Sequence, residues 1–138
     1  MVDDVILNKV AIVERCLARI HEEYAGDEQN LRANLTRQDS IILNLQRACE
    51  AAIDLAMALV KDRRLGPPQE SRHAFELLHD VGLIDGDLAL RMAGMVGFRN
   101  VAVHDYRRLN LDVVNAIVTK RLGDFRDFAR LALEISRR

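Results

Sequence analysis

Three side chains near position 100 are of the types that can handle a phosphodiester: Arg99, His104 and Tyr106. A guanidinium neutralises charge that grows on phosphorus, and an imidazole carries the proton of an attacking or leaving oxygen. A phenol both donates and accepts hydrogen bonds. Asn100, between them, can shape a turn or touch a substrate. Arg99 also stands where the sequence period calls for a hydrophobe. Leu88, Met92 and Met95 step by four and three, so the next inward position is 99. A guanidinium there either snorkels outward from the last turn of its helix or faces a cleft, because burying it unpaired is costly. In an unbroken helix positions 99 and 104 point about 140° apart and cannot share one small substrate. Gly97 and the β-branched Val101 and Val103 weaken helix propensity here. A helix that ends near residue 99, with a turn after it, lets Arg99, His104 and Tyr106 converge.

The elements that must position these groups are helical. The 138 residues fit a single domain, 1–138, rich in Ala, Leu, Val and Ile, with seven glycines, two prolines and no Trp. Ile6, Val10, Val13, Leu17, Ile20 and Tyr24 line one face of a first helix over 3–24. A short piece around 31–37 is ambiguous. Asp39 or Ser40 can cap a second long helix running to about Arg64. Its two apolar stripes, one through Ile41, Leu45, Ala48, Ala52, Leu55 and Leu59 and one through Ile42, Cys49, Ile53, Ala56 and Val60, give a wide face and a central position. Gly66-Pro67-Pro68 is a loop. A short helix over 70–80, with Phe75, Leu78 and Val81 inward, and another capped by Asp85 come next. A last helix starts near Asn110 and runs almost to the end, with Leu111, Val114, Val118, Leu122, Phe125, Ala129 and Ala132 inward. These elements predict an all-α, antiparallel up-and-down bundle of four to five helices.

Arg99-x4-His104-x-Tyr106 resembles the RX4HXY motif of HEPN toxins, in the HepT branch, and the polar Asn100 agrees with the residue usual after the motif arginine. Asp39-Ser40-Ile41-Ile42 with Leu45-Gln46, Gly66-Pro67-Pro68, Phe75-Glu76-Leu77-Leu78, Met95-Val96-Gly97-Phe98-Arg99-Asn100 and Asp105-Tyr106-Arg107-Arg108-Leu109-Asn110 are similar to that branch as well. The resemblance covers about residues 39–130. It implies a metal-independent endoribonuclease, the toxin of a bacterial toxin–antitoxin pair, with Arg99 and His104 catalytic. It also implies a partner: a small MNT-type nucleotidyltransferase antitoxin that spends ATP to attach AMP to Tyr106. Asp39 is either a helix cap or an orienting group near Arg99 or His104. Asp105 is either a supporting partner of the site or an exposed loop acid.

Cleavage by a ribose 2′-OH wants a base and an acid together, and the motif has one histidine. A two-fold homodimer with two motif copies across one cleft meets that need. One His104 then acts as base and the other as acid, a coupled pair. A non-catalytic helical module that docks the nucleotidyltransferase and binds nucleotide is the rival reading.

Other classes find little support. Net charge is −1, split as −4 over residues 1–60 and +3 over 61–138, so no strongly basic face marks a DNA-binding protein. No run of about 20 uncharged apolar residues suits a membrane span, and Asp3 and Asp4 stand where a secretory signal carries basic residues. A cytoplasmic protein with two buried free thiols, Cys16 and Cys49, is the simplest expectation. His73 and His79, six apart, and the solitary His21 form no metal pattern. With no phosphate-cradling glycine loop, the chain itself is expected to use no cofactor.

Overall fold

In a computed structural model that describes residues 3–138, Ile6, Val10, Val13, Leu17 and Ile20 are all buried on one face of α1 (Asp4–Tyr24). Asp3 caps α1, accepting from the Val5 N–H at 2.8 Å. Ala25 and Gly26 end it in left-handed conformation, at φ 50° and 70°. The ambiguous stretch 31–37 takes in the end of a single turn, α2 (Gln29–Arg32), whose Leu31 is fully buried, and the first residues of the second long helix.

The second long helix, α3 (Leu35–Asp62), begins five residues before Ser40. Asn34 is its cap, accepting from the Arg37 N–H at 3.0 Å. Asp39 therefore lies inside the helix and caps nothing, which leaves its carboxylate available elsewhere. Both predicted stripes of α3 are buried throughout. α3 is the spine of the molecule: α1 packs along it most extensively, and α2, α4, α5 and α7 all touch it.

The chain turns at Arg64 (φ 54°) and Gly66 (φ 99°) and enters α4 (Ser71–Asp80). Phe75 and Leu78 of α4 are buried, and Phe75 meets Phe128 edge-on with ring centroids 5.2 Å apart. Val81, expected inward, is 54% exposed because the helix has ended at Asp80 and Gly82 (φ 77°) reverses the chain. Asp85 caps α5 (Gly86–His104) as its sequence position suggests, accepting from the Leu88 N–H at 2.8 Å.

α5 does not end near residue 99. It runs to His104 in one piece, since Phe98 and Ala102 are buried, and packing of this face outweighs a propensity deficit of a few tenths of a kcal/mol per β-branched residue. A 3-10 turn (Tyr106–Arg108) follows.

The last helix is two helices, α6 (Leu111–Lys120), capped by Asn110, and α7 (Leu122–Ser136). At the break Arg121 adopts φ −124° and ψ 0°, and Thr119 Oγ1 donates back to the Asn115 carbonyl at 2.8 Å, a bond that bends helices. Val118 and Leu122 are buried on either side, so the stripe crosses the break without a gap. Among the described residues the bundle thus has seven α-helices where the sequence suggested four to five, the additions being α2 and the division of the last.

Asp124, in the first turn of α7, is a buried carboxylate, 6% exposed. It pairs with Arg91 Nη1 at 3.3 Å and sits at the positive end of the helix dipole.

Candidate active site

α5 carries Arg99 and His104, and the turn after it carries Tyr106. Because the helix is continuous, Arg99 and His104 project about 140° apart, separated by about 7.5 Å along the axis. One chain does not bring them together, contrary to the convergence expected of a helix that stops at residue 99.

Arg99 points inward, between α3 and the start of α4. Its Nη2 lies 3.4 Å from Ser71 Oγ, a long contact, and its Nε is buried without a partner. Its charge reaches Cys49 on α3, where it opposes the burial that pushes that thiol strongly up. No salt bridge neutralises Arg99 among the described residues. The guanidinium thus faces a cleft; it does not snorkel to bulk water. That cleft, about 260 Å³, is lined by Glu70, Ser71, Arg72, Val96, Arg99 and Asn100. Asn100 is exposed at its rim.

His104 is the last residue of α5 and is exposed. The Asp105 N–H closes the final helical turn on the Val101 carbonyl at 2.8 Å. Asp105 then leaves the helix at φ −152° and ψ 59°, which redirects the chain into the 3-10 turn. Its carboxylate pairs with Arg108 at 3.2 Å, an exposed pair within the turn, so Asp105 is a loop acid.

Tyr106 is 43% exposed, yet its hydroxyl is engaged: Oη donates to Asp39 Oδ1 at 2.6 Å, a bond between residues 67 apart in sequence. Burial of the hydroxyl end, the hydrogen bond and the carboxylate charge together push the phenol up to about 12. Asp39 earns its place near the motif by this bond, and it orients Tyr106, not Arg99 or His104. Two of the sequence-predicted residues, Tyr106 and Asp39, are thus in contact; Arg99 and Asn100 share a cavity; among the described residues His104 makes no side-chain hydrogen bond or ion pair with any of the four.

Arg72 and Ser71 were missed by reasoning from the motif alone. A signal was present in the sequence: a basic residue in the first turn of a helix opposes the helix dipole, and α4 has no acidic residue there. Arg72 Nη2 lies over Gly97, so close that a Cβ on residue 97 would come within 2.8 Å of it. No cluster of three or more potential metal ligands occurs among the described residues.

The chain matches the family described as HepT-like, Ribonuclease HepT-like, over residues 13–132. The mRNA nuclease HepT of Shewanella oneidensis is 48% identical over 126 residues, which span 91% of this chain and 94% of that one. Among solved structures, the tri-AMPylated HEPN toxin of Shewanella oneidensis in complex with MNT antitoxin superposes with a TM-score of 0.88 at 46% identity, covering 94% of this chain and 96% of the other. A toxin–antitoxin structure with AMP-PNP gives 0.89 at 46% identity, over 94% and 97% of the two chains. On this agreement of sequence and fold, the chain belongs to the HepT-like ribonuclease family of HEPN proteins.

Proposed function

We propose that this HepT-like endoribonuclease, the toxin of a toxin–antitoxin pair, cuts RNA at a cleft completed by two copies of the chain. The observation that carries the reading is the unbroken α5, which sets the motif arginine and histidine on different sides of one helix. A second copy, related by a two-fold axis, supplies what a single chain lacks.

The chemistry is in-line displacement. The ribose 2′-oxygen bonds to phosphorus as one His104 takes its proton, and the bond from phosphorus to the 5′-oxygen breaks as the other His104 gives a proton to the leaving oxygen. The products are a 2′,3′-cyclic phosphate and a free 5′-hydroxyl. Arg99 holds the phosphate and offsets the charge that gathers on it. Removing a positioned acid–base group costs about 10²–10⁴ in rate.

Tyr106 is the control point. In the transfer by the MNT-type nucleotidyltransferase, Tyr106 Oη bonds to the α-phosphorus of ATP, the α–β bridge bond breaks, and pyrophosphate leaves. The phenol proton passes toward the Asp39 carboxylate already hydrogen-bonded to it. The attached AMP places bulk and negative charge beside a site built for an RNA phosphate, so substrate is repelled. The chain works in the cytoplasm, where both RNA and the antitoxin are met.

The test is RNA cleavage by purified wild type, Arg99→Ala and His104→Ala, each before and after adenylylation. Loss in both variants and in modified wild type is expected. Equal cleavage by wild type and His104→Ala sinks the catalytic reading and leaves a docking module.

A further inference from the structure

Arg99 and Arg72 face one cavity, and among the described residues neither makes an ion pair. Two guanidinium groups held in one cleft repel each other, and the one carboxylate lining it, that of Glu70, pairs with neither within 4 Å. Arg72 is exposed and solvated on its own, while Arg99 is half-buried with an unpartnered Nε, so an anion entering the cleft meets both cations. The position of Arg72 says which anion. Its guanidinium crosses α5 at Gly97, and Gly97 and His104 are seven residues apart, which on a helix means nearly the same direction (within about 20°) and about 10.5 Å along the axis. Arg72 therefore lines the Arg99 cavity and ends on the side of α5 toward which His104 points, about two turns of helix before it. It places a cation on the side of the helix that Arg99 cannot reach.

We propose that Arg72 is a further substrate-binding residue, a second phosphate grip that holds the RNA backbone next to the phosphodiester under attack, with Gly97 as the seat that lets it lie across α5. Ser71 Oγ, already against Arg99, fixes the inner end of the cleft. Arg72 lies about 3 Å beyond Arg99 along the helix axis, away from His104, so a strand whose reacting phosphate sits at Arg99 meets this second cation at a neighbouring phosphate. A side chain at 97 would push the flexible end of Arg72 off this position, so Gly97 keeps the guanidinium in place. Glu70, at the cavity rim, sets a limit on affinity by repelling the same phosphate.

This inference rests on the ribonuclease reading, and binding is measured apart from cleavage so that the two can fail separately. The probe is a 2′-O-methyl oligonucleotide, which cannot undergo 2′-OH attack. Its affinity is followed by fluorescence anisotropy across a salt series for wild type, Arg72→Ala, Arg72→Lys, Gly97→Ala and the Arg72→Ala/Gly97→Ala double variant. Circular dichroism checks that each is folded. Loss of one phosphate contact lowers the slope of log affinity against log salt by about 0.7 for a single strand. Arg72→Ala is expected to show that change and roughly tenfold weaker binding at low salt, a loss of about 1.4 kcal/mol. Arg72→Lys recovers most of the slope. Gly97→Ala weakens binding when Arg72 is present and does nothing further in the double variant, a dependence that a merely structural role of Gly97 lacks. Glu70→Gln tightens binding. Wild-type affinity and slope in Arg72→Ala overturn the proposal, as does a wild type that binds no strand, or a Gly97→Ala effect of equal size with and without Arg72. Arg72-dependent binding by a wild type that leaves ordinary RNA intact upholds the grip and refutes the ribonuclease reading.

Discussion

Replacing Asp39 by Asn should lower the pKa of Tyr106 by about one unit. The hydroxyl lies 2.6 Å from Asp39 Oδ1. Ionising the phenol beside a carboxylate at that distance costs about 1.6 kcal/mol even in the full dielectric of water, and 1.36 kcal/mol corresponds to one pH unit. Asn removes the charge but keeps an acceptor oxygen in place, so burial and a weaker hydrogen bond still hold the phenol above its ordinary value of 10.0. The assay is tyrosinate absorbance. The chain has two tyrosines and no Trp, so Tyr24→Phe leaves Tyr106 as the one chromophore. In that background the midpoint is expected near 12, and about one unit lower with Asp39→Asn. The sign for stability follows. A phenol whose folded value exceeds its unfolded one gives a contribution present below pH 10 and lost as pH rises through 12. Circular dichroism at each pH separates titration from unfolding. An unchanged or raised midpoint in Asp39→Asn refutes the idea that the carboxylate controls this hydroxyl.

Other outcomes follow from the same structure. His104→Ala co-expressed in excess with wild type should depress RNA cleavage below simple dilution, because mixed pairs lack one proton carrier; activity linear in the wild-type fraction contradicts the two-copy site. Gly97→Ala in an Arg72→Ala background should raise stability by about 1 kcal/mol, the helix preference of Ala over Gly, with a smaller gain when Arg72 is present to be displaced; urea denaturation measures both. Arg91→Ala should destabilise by about 1–3 kcal/mol, since it removes the side-chain partner of the buried Asp124. Burial raises the thiols of Cys16 and Cys49, so neither should react with iodoacetamide until the protein unfolds.

The core was legible because period and burial coincide. All eleven residues of the α3 stripes are buried, and Asp85 and Asn110 cap the helices they precede. What escaped has identifiable causes. The break at Arg121 interrupts backbone hydrogen bonding without interrupting the apolar stripe, so periodicity carries no trace of it. Asp39 looks like a cap and draws the expected start of α3 late, while Asn34, whose following residues include the exposed Leu35, offers a weaker pattern. Local propensity around Gly97, Val101 and Val103 argued for an early end to α5, and tertiary burial of Phe98 and Ala102 overrode it. The motif residues were visible as types, but their directions were not. Arg72 lay outside the motif, and only the fold carries it across Gly97.

The continuity of α5 has a consequence for dose. A rigid rod fixes the spacing of Arg99 and His104, so no induced fit within one chain can assemble the site. Below the concentration at which copies pair, cleavage should rise with the square of the amount of protein. A few stray molecules escaping their antitoxin would then be nearly harmless, while a modest surplus would be disproportionately damaging. On the proposed two-copy site, the continuity of one helix would set a threshold, which suits a protein whose activity must stay silent until it is wanted.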